Sequence, residues 1–169
     1  MGCAYRCGIS GCLGMDENTM NISAHFTLGE FTASELAARN NIDNTPPPDQ
    51  VANLKRLAAV MEDVRAALGG KSIYITSGYR CSKLNKLVGS KPTSAHVNGM
   101  ACDFKCPSYG TPKDIVEALQ AFLIPYDQLI LEFYNPTTGD GWVHIGLGSN
   151  PRRQVLTINS MGTFSGVHV

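Results

Sequence analysis

Residues 94–103 read Ser94-Ala-His96-Val-Asn-Gly99-Met-Ala101-Cys-Asp103, and a second stretch, Trp142-Val-His144, follows further along the chain. Between His96 and Asp103, Gly99 can turn the backbone tightly enough to bring the two side chains together. Two imidazoles and one carboxylate are donors typical of catalytic zinc, which takes three protein ligands and leaves a fourth position open. The sequence therefore predicts that His96, Asp103 and His144 hold one Zn²⁺ ion.

Length and composition predict a single globular domain. The chain has 169 residues, of which 43% are hydrophobic and 17% are charged, as in ordinary folded proteins. Fourteen basic residues balance fourteen acidic ones, so net charge gives no reason to expect nucleic acid as a partner. No apolar run approaches the roughly 20 residues of a membrane span. We expect a monomer that neither binds nucleic acid nor inserts into a membrane.

The first residues differ in composition from the rest. Cys3, Cys7 and Cys12 do not have the spacing of zinc-binding pairs. We interpret residues 1–19 as an N-terminal extension of unclear role and residues 20–169 as one catalytic domain. The N-terminus lacks the features of a secretory signal, so synthesis in the cytoplasm is expected. Three later cysteines are predicted to be small buried residues rather than disulfide partners: Cys81, Cys102 and Cys106.

Hydrophobic periodicity predicts an α+β fold with helices packed on a mainly antiparallel sheet. A capping box at Thr32–Glu35 predicts a short helix to about Arg39. Predicted helices also cover residues 51–68, before Gly69-Gly70, residues 82–88, and residues 112–123 with Ile115, Leu119 and Phe122 on one face. Predicted strands cover residues 72–77, 100–105, 128–134, 142–147 and 154–159.

Pairing residues 128–134 with 142–147 about Thr138 predicts that Glu132 lies opposite His144. In this register Leu129, Leu131 and Phe133 face the core, while Glu132 shares the face of His144 and Trp142. A glutamate beside a zinc ligand could act as a general base, although a solvated strand carboxylate would have the same pattern. Asp140 is the competing base, but turn chemistry already explains an aspartate there.

These motifs together resemble those of the zinc D-Ala-D-Ala carboxypeptidase family. That family shares its fold with the Hedgehog signalling domain and includes many phage endolysins. Ser77-Gly-Tyr-Arg80, followed by Leu84-Asn85, is similar to the segment before its zinc motif. Phe26-Thr-Leu-Gly-Glu-Phe31 and Asn44-Thr-Pro-Pro47 resemble its phage-type branch. The likeness covers about residues 22–160.

The resemblance implies roles for single residues. It implies that His96, Asp103 and His144 bind zinc, and that Glu132 is the general base. It further implies that Arg80 stabilises the carbonyl oxygen or carboxylate of a substrate, and that Ser94 and Trp142 bind the substrate peptide. The chain departs from some members, which carry glutamate where Gly141 stands, and from others, which carry histidine at the position of Trp142.

The implied function is hydrolysis of peptide bonds in bacterial peptidoglycan stem peptides, as a D,D-carboxypeptidase or as an endolysin-type endopeptidase. Two alternatives stay open: a non-hydrolytic zinc-containing binding module of the same fold, and an intracellular D-Ala-D-Ala dipeptidase. The expected site of action is the cell wall or periplasm, reached by holin-type release if a phage encodes the protein. His25 and His168 lack a partner at ligand spacing and are predicted to stay outside the site.

Overall fold

The computed structural model describes residues 19–168, so the predicted extension over residues 1–19 lies almost wholly outside the described part. Five α-helices are present within it: α1 (Leu28–Thr32), α2 (Glu35–Arg39), α3 (Pro48–Ala67), α4 (Ser82–Leu87) and α5 (Pro112–Leu119). A 3₁₀ helix covers Ala95–Asn98. No helix among the described residues is long and apolar enough to cross a membrane.

One six-stranded sheet organises the fold. Its strands are β1 (Tyr74–Ser77), β2 (Ala101–Lys105), β3 (Gln128–Glu132), β4 (Trp142–Gly146), β5 (Gln154–Asn159) and β6 (Gly162–Ser165). They lie in the order β1-β2-β4-β3-β5-β6. Neighbouring strands are antiparallel, except that β3 and β5 are parallel. The predicted α+β class with a mainly antiparallel sheet is confirmed.

Alternation along the central strands assigns one face of the sheet to the core. Cys102, Ile145 and Leu129 form one row across β2, β4 and β3, and all three are fully buried. Phe104, Val143 and Leu131 form the next row. Helices α3 and α5 cover these rows with buried aliphatic side chains. Burying each large apolar side chain stabilises the fold by about 1.5–3 kcal/mol. The alternate positions on these strands face the other side of the sheet, where polar side chains such as Asp103 and His144 lie.

One predicted helix end is confirmed and one predicted capping motif is wrong. Helix α3 ends before Gly69 and Gly70, both in the left-handed region, as predicted. The capping box at Thr32–Glu35 is wrong, because Thr32 is the last residue of α1 and the Ser34 hydroxyl caps α2. The capping box of this region is formed by Thr27 and Glu30, one helix earlier.

Helix α5 also ends sooner than predicted, at Leu119 rather than about residue 123. Phe122 is 43% exposed and does not continue the buried face. The guanidinium of Arg153 donates hydrogen bonds to the carbonyls of Gln120, Phe122 and Ile124. Because these carbonyls bind a side chain from another segment, the chain after Leu119 forms a turn instead of another helical turn.

Strand β6 was not predicted. It has four residues and is mostly exposed, so it carries neither the length nor the alternation that marks a strand. Cys81, Cys102 and Cys106 are free, as predicted. Cys102 and Cys106 are also buried, whereas the prediction of burial is wrong for Cys81, which is half-buried.

Candidate metal centre

Three elements bring the predicted ligands together. Asp103 on β2 pairs directly with His144 on β4, on the sheet face opposite the core. His96 comes from the 3₁₀ helix that precedes β2. Gly99 ends that helix in the left-handed conformation, with a φ of 65°. An added Cβ would lie 2.8 Å from the Gln50 carbonyl oxygen, so only glycine allows this turn against α3.

The donor atoms of the three side chains face a common point. His144 Nδ1 lies 2.8 Å from Asp103 Oδ1, and His96 Nε2 lies 3.3 Å from the same oxygen. The two ring nitrogens, His96 Nε2 and His144 Nδ1, are 3.2 Å apart. In a tetrahedral zinc site with bonds of about 2.0–2.1 Å, neighbouring donors are about 3.3 Å apart. The donor set and its spacing therefore fit a zinc ion, and the structure brings the three predicted residues together.

A backbone carbonyl fixes the orientation of His96. His96 Nδ1 donates a hydrogen bond of 2.7 Å to the carbonyl oxygen of Gly78. The proton is then held on Nδ1, and the lone pair of Nε2 is directed at Asp103 and His144, the arrangement that metal-binding histidines adopt. Gly78 itself packs against the end of α1: an added Cβ would lie 2.2 Å from the Phe31 carbonyl oxygen. That oxygen also accepts a hydrogen bond of 2.7 Å from the Tyr79 amide.

Arg80 orients the aspartate. Its Nη2 donates to Asp103 Oδ2 at 2.9 Å and its Nε donates to the Ser77 hydroxyl at 3.0 Å. Asp103 Oδ1 is thereby left for the histidines. Burial alone would raise the pKa of Asp103, but hydrogen bonds and charges from His144 and His96 outweigh it and lower that pKa well below its usual range. The carboxyl group is thus in the ionised form that a metal ligand requires.

Asn44 ties the segment around Arg80 to the N-terminal helices. Its amide nitrogen donates to the carbonyls of Thr32 and Tyr79, at 2.9 and 3.0 Å. Its amide oxygen accepts from the Cys81 amide at 2.8 Å. The side chain therefore fixes both neighbours of Arg80. In the sequence, Asn44 is recognised only as part of the Asn44-Thr-Pro-Pro47 motif, which does not predict these hydrogen bonds.

Glu132 lies on the metal face, but the predicted register is wrong by two residues. Glu132 pairs with Trp142, and Ile130 is the residue opposite His144. Because the shift is an even number, Glu132 stays on the face of His144, as a diagonal neighbour at roughly 7–8 Å between backbones. Burial raises the pKa of Glu132, and the charge of Asp103 adds to this while the two histidines oppose it.

The indole of Trp142 holds the Glu132 carboxylate. Trp142 Nε1 donates a hydrogen bond of 2.8 Å to Glu132 Oε2. Phe133 stacks on the indole, with 5.4 Å between ring centroids and 29° between planes. The prediction that Phe133 faces the core is wrong, because β3 ends at Glu132 and Phe133 adopts a φ of 48°. This conformation costs a non-glycine residue of order 1–3 kcal/mol, and it turns the ring out of the core.

The backbone at Gly141 excludes the glutamate that some members of the zinc D-Ala-D-Ala carboxypeptidase family carry at this position. Its φ is 123°, and an added Cβ would lie 2.8 Å from both the Glu132 carbonyl oxygen and the Tyr134 Cα. Asp140, the competing base, is exposed in the turn. Its amide donates to the Thr138 hydroxyl. Among these residues, Glu132 is the carboxylate that the fold places on the ligand face.

The remaining predicted residues lie as follows. Ser94 is half-buried and directly precedes the 3₁₀ helix that carries His96. His25 lies 2.8 Å from Glu62 and His168 lies 2.7 Å from the Ser165 carbonyl. Neither histidine belongs to the candidate metal cluster found among the described residues.

Two histidines and an aspartate that converge beside a glutamate are typical of a zinc metallopeptidase. The model of one protein family, Peptidase M15, matches residues 24–145, which is more than half of the chain. The chain belongs to the Peptidase M15 family, a family of zinc-dependent enzymes, and the predicted resemblance is confirmed at that level. A search of curated proteins gives no match.

Proposed function

We propose that this protein is a zinc-dependent peptidase that hydrolyses peptide bonds in the stem peptides of bacterial peptidoglycan. One observation carries the proposal: three converging donor atoms share a sheet face with a carboxylate held by an indole. Membership of the Peptidase M15 family supports a peptide-type substrate. The fold proposed with this function is of the Hedgehog/DD-peptidase type, with residues 20–169 as one catalytic domain.

When bound, zinc supplies Lewis acidity toward a peptide carbonyl and makes water acidic enough to act as a nucleophile near neutral pH. His96, Asp103 and His144 would hold the ion. Glu132 would accept a proton from the attacking water and donate it to the departing amine. Its raised pKa suits both steps, because the carboxyl group must exchange a proton in each direction.

Arg80 would serve two purposes. Its Nη2 contact orients Asp103 while its Nε contact with Ser77 holds the guanidinium, and Nη1 would bind the carbonyl oxygen or carboxylate of the substrate. Ser94 would hydrogen-bond the substrate peptide beside His96. Trp142 would border the bound peptide on the side of Glu132.

Within this class we propose action as a D,D-carboxypeptidase or as an endolysin-type endopeptidase. Both reactions need the same zinc ion and base, and they differ in the position of the scissile bond. We further propose that the protein acts as a monomer at the cell wall or in the periplasm. Synthesis in the cytoplasm and holin-type release would bring it there if a phage encodes it.

The test is mass spectrometry of muropeptides after digestion of purified peptidoglycan by the zinc-loaded protein. Glu132→Gln should retain zinc and lose about 10²- to 10⁴-fold in rate, the usual contribution of a general acid–base. Glu117→Gln is the matched control, because it removes a carboxylate paired with Lys113 on the surface of α5, and it should keep the native rate. His96→Ala should lose both zinc and activity.

The products decide between the candidates. Release of free D-alanine indicates carboxypeptidase action, and cleavage of cross-linked or internal bonds indicates endopeptidase action. Zinc binding without any cleaved product, from either peptidoglycan or D-Ala-D-Ala, would contradict the proposal and favour a non-hydrolytic module.

A further inference from the structure

Phe133 combines two properties that packing does not explain. It is a bulky residue in the left-handed region of backbone space, where non-glycine residues are uncommon. Its side chain is 49% exposed, so burial of the ring in the core does not compensate for the backbone conformation. Strained residues of this kind cluster at functional sites.

The contacts of Phe133 lead to the proposed base. Its ring stacks on Trp142, and the indole N–H of Trp142 donates to Glu132. The backbone of Phe133 is held by a hydrogen bond of 2.8 Å from its amide to the Ile158 carbonyl. Strand β5 therefore fixes the point from which the ring reaches the indole.

Trp142 needs such a support. It is only half-buried on the metal face, and its neighbour Gly141 has no side chain to pack against it. A stacked ring restricts the rotation of the indole and so keeps its N–H directed at Oε2 of Glu132. A misplacement of about 1 Å in a catalytic group can lower a rate by about 100-fold, so this restriction matters.

We infer that Phe133 and Trp142 are positioning residues that hold the Glu132 carboxylate in its working orientation, Phe133 by stacking and Trp142 by its hydrogen bond. The inference rests on the proposed function, since it assigns Glu132 as the base. It adds the orientation of the base to the substrate contact proposed for Trp142.

The protein supplies its own probe, because Trp142 is its single tryptophan. Indole emission and its quenching by acrylamide therefore report only on this stack. Phe133→Gly removes the ring and at the same time allows the left-handed backbone, so loss of activity in this variant cannot come from a strained fold. Phe133→Leu provides a second variant that keeps apolar bulk without a ring to stack.

The experiment combines fluorescence with kinetics on soluble muropeptides that the native zinc enzyme cleaves. Phe133→Gly and Phe133→Leu should increase acrylamide quenching of Trp142 and lower kcat about 10- to 100-fold, with KM and zinc content unchanged. Phe133→Tyr should have the native kcat and the native quenching of Trp142, because it keeps the stacked ring. Trp142→Phe should lower kcat similarly, because it keeps an aromatic ring but loses the N–H donor.

Asn41→Gly is the matched control. Asn41 is another non-glycine residue at positive φ, 47°, and it is exposed in the turn after α2, so this change should leave kcat and quenching at native values. Native kcat in Phe133→Gly would overturn the inference. A raised KM with native kcat would also overturn it, since it would make Phe133 a substrate contact.

The fluorescence arm separates this inference from the proposed function. If the native protein cleaves no wall peptide, the proposed function fails, and the stack is judged by emission alone. A change of emission in both Glu132→Ala, which removes the acceptor of the indole hydrogen bond, and Phe133→Gly then supports the contact chain. Unchanged emission in either variant overturns it.

Discussion

Gly78→Ala tests how the fold orients the first histidine. The added Cβ would lie 2.2 Å from the Phe31 carbonyl oxygen and 2.8 Å from the carbon that bears it. Ordinary contact is about 3.5–4.0 Å, so the two backbone segments would have to separate by more than about 1 Å. The separation would break the hydrogen bond that the Tyr79 amide donates to the Phe31 carbonyl oxygen. It would also move the Gly78 carbonyl away from His96 Nδ1.

The expected cost follows from these contacts. Overpacking at a site that cannot relax costs about 1–3 kcal/mol, and the lost backbone hydrogen bond adds about 1 kcal/mol. We therefore expect the free energy of unfolding of the metal-free protein to fall by about 2–4 kcal/mol. Disturbing the carbonyl that orients His96 should weaken zinc binding about 10- to 100-fold. Urea unfolding measures the first effect, and competition with a chromophoric chelator measures the second.

Gly89→Ala is the matched control. Gly89 has a φ of 73° and no atom within 4 Å of the added Cβ. Alanine there should cost about 1–2 kcal/mol through backbone strain and leave zinc affinity unchanged. A folded Gly78→Ala protein that binds zinc as tightly as the native one would show that the Gly78 carbonyl does not orient His96 for the metal, whatever the stability of the variant.

Three further predictions concern stability. Asn44→Ala removes hydrogen bonds to Thr32, Tyr79 and Cys81, so urea unfolding should show a loss of about 2–4 kcal/mol; a loss below about 0.5 kcal/mol would contradict this. The hydrogen bond from Arg152 lowers the pKa of Asp127 in the folded protein. The pair therefore stabilises the fold at pH values above about 3.9, the pKa of aspartate in the unfolded chain. This stabilisation is lost as the pH falls through the lower pKa of Asp127 in the folded protein. Because Arg152 is largely exposed, Asp127→Asn should lower the free energy of unfolding at pH 7 by no more than about 1 kcal/mol. If the native protein were still more stable than the variant by this amount at pH 2, the ion pair would not be the cause. Zinc at 100 times its Kd should stabilise the protein by about 2.7 kcal/mol in thermal unfolding, and the same gain in His96→Ala would place the ion elsewhere.

The three residues that could hold a metal, His96, Asp103 and His144, could be predicted from the sequence because their side-chain types and the glycine beside them are typical of such a site. His96 and Asp103 lie on either side of a glycine that the turn requires, whereas the direct pairing of Asp103 with His144 is seen only in the structure. Glu132 was assigned to the right face and the wrong partner. The chain leaves β3 after Glu132 and enters a turn in which the Asn135 amide donates a hydrogen bond to the Asp140 carbonyl. Residue alternation carries no information about that turn.

The supporting contacts could not be predicted, because they join segments far apart in sequence. The Gly78 carbonyl meets His96, and Asn44 meets Tyr79 and Cys81, only once the N-terminal helices pack beside β1. Phe133 continues an alternating apolar pattern, so periodicity assigned it to the core. Only the backbone shows that the strand ends one residue before it.

Diffraction at the zinc absorption edge, from crystals of the zinc-loaded protein, locates the ion. We expect one anomalous peak about 2.0–2.2 Å from His96 Nε2, Asp103 Oδ1 and His144 Nδ1, with His96 Nδ1 still hydrogen-bonded to the Gly78 carbonyl. A peak at another place, or none at these three atoms in protein that has taken up one equivalent of zinc, would contradict it.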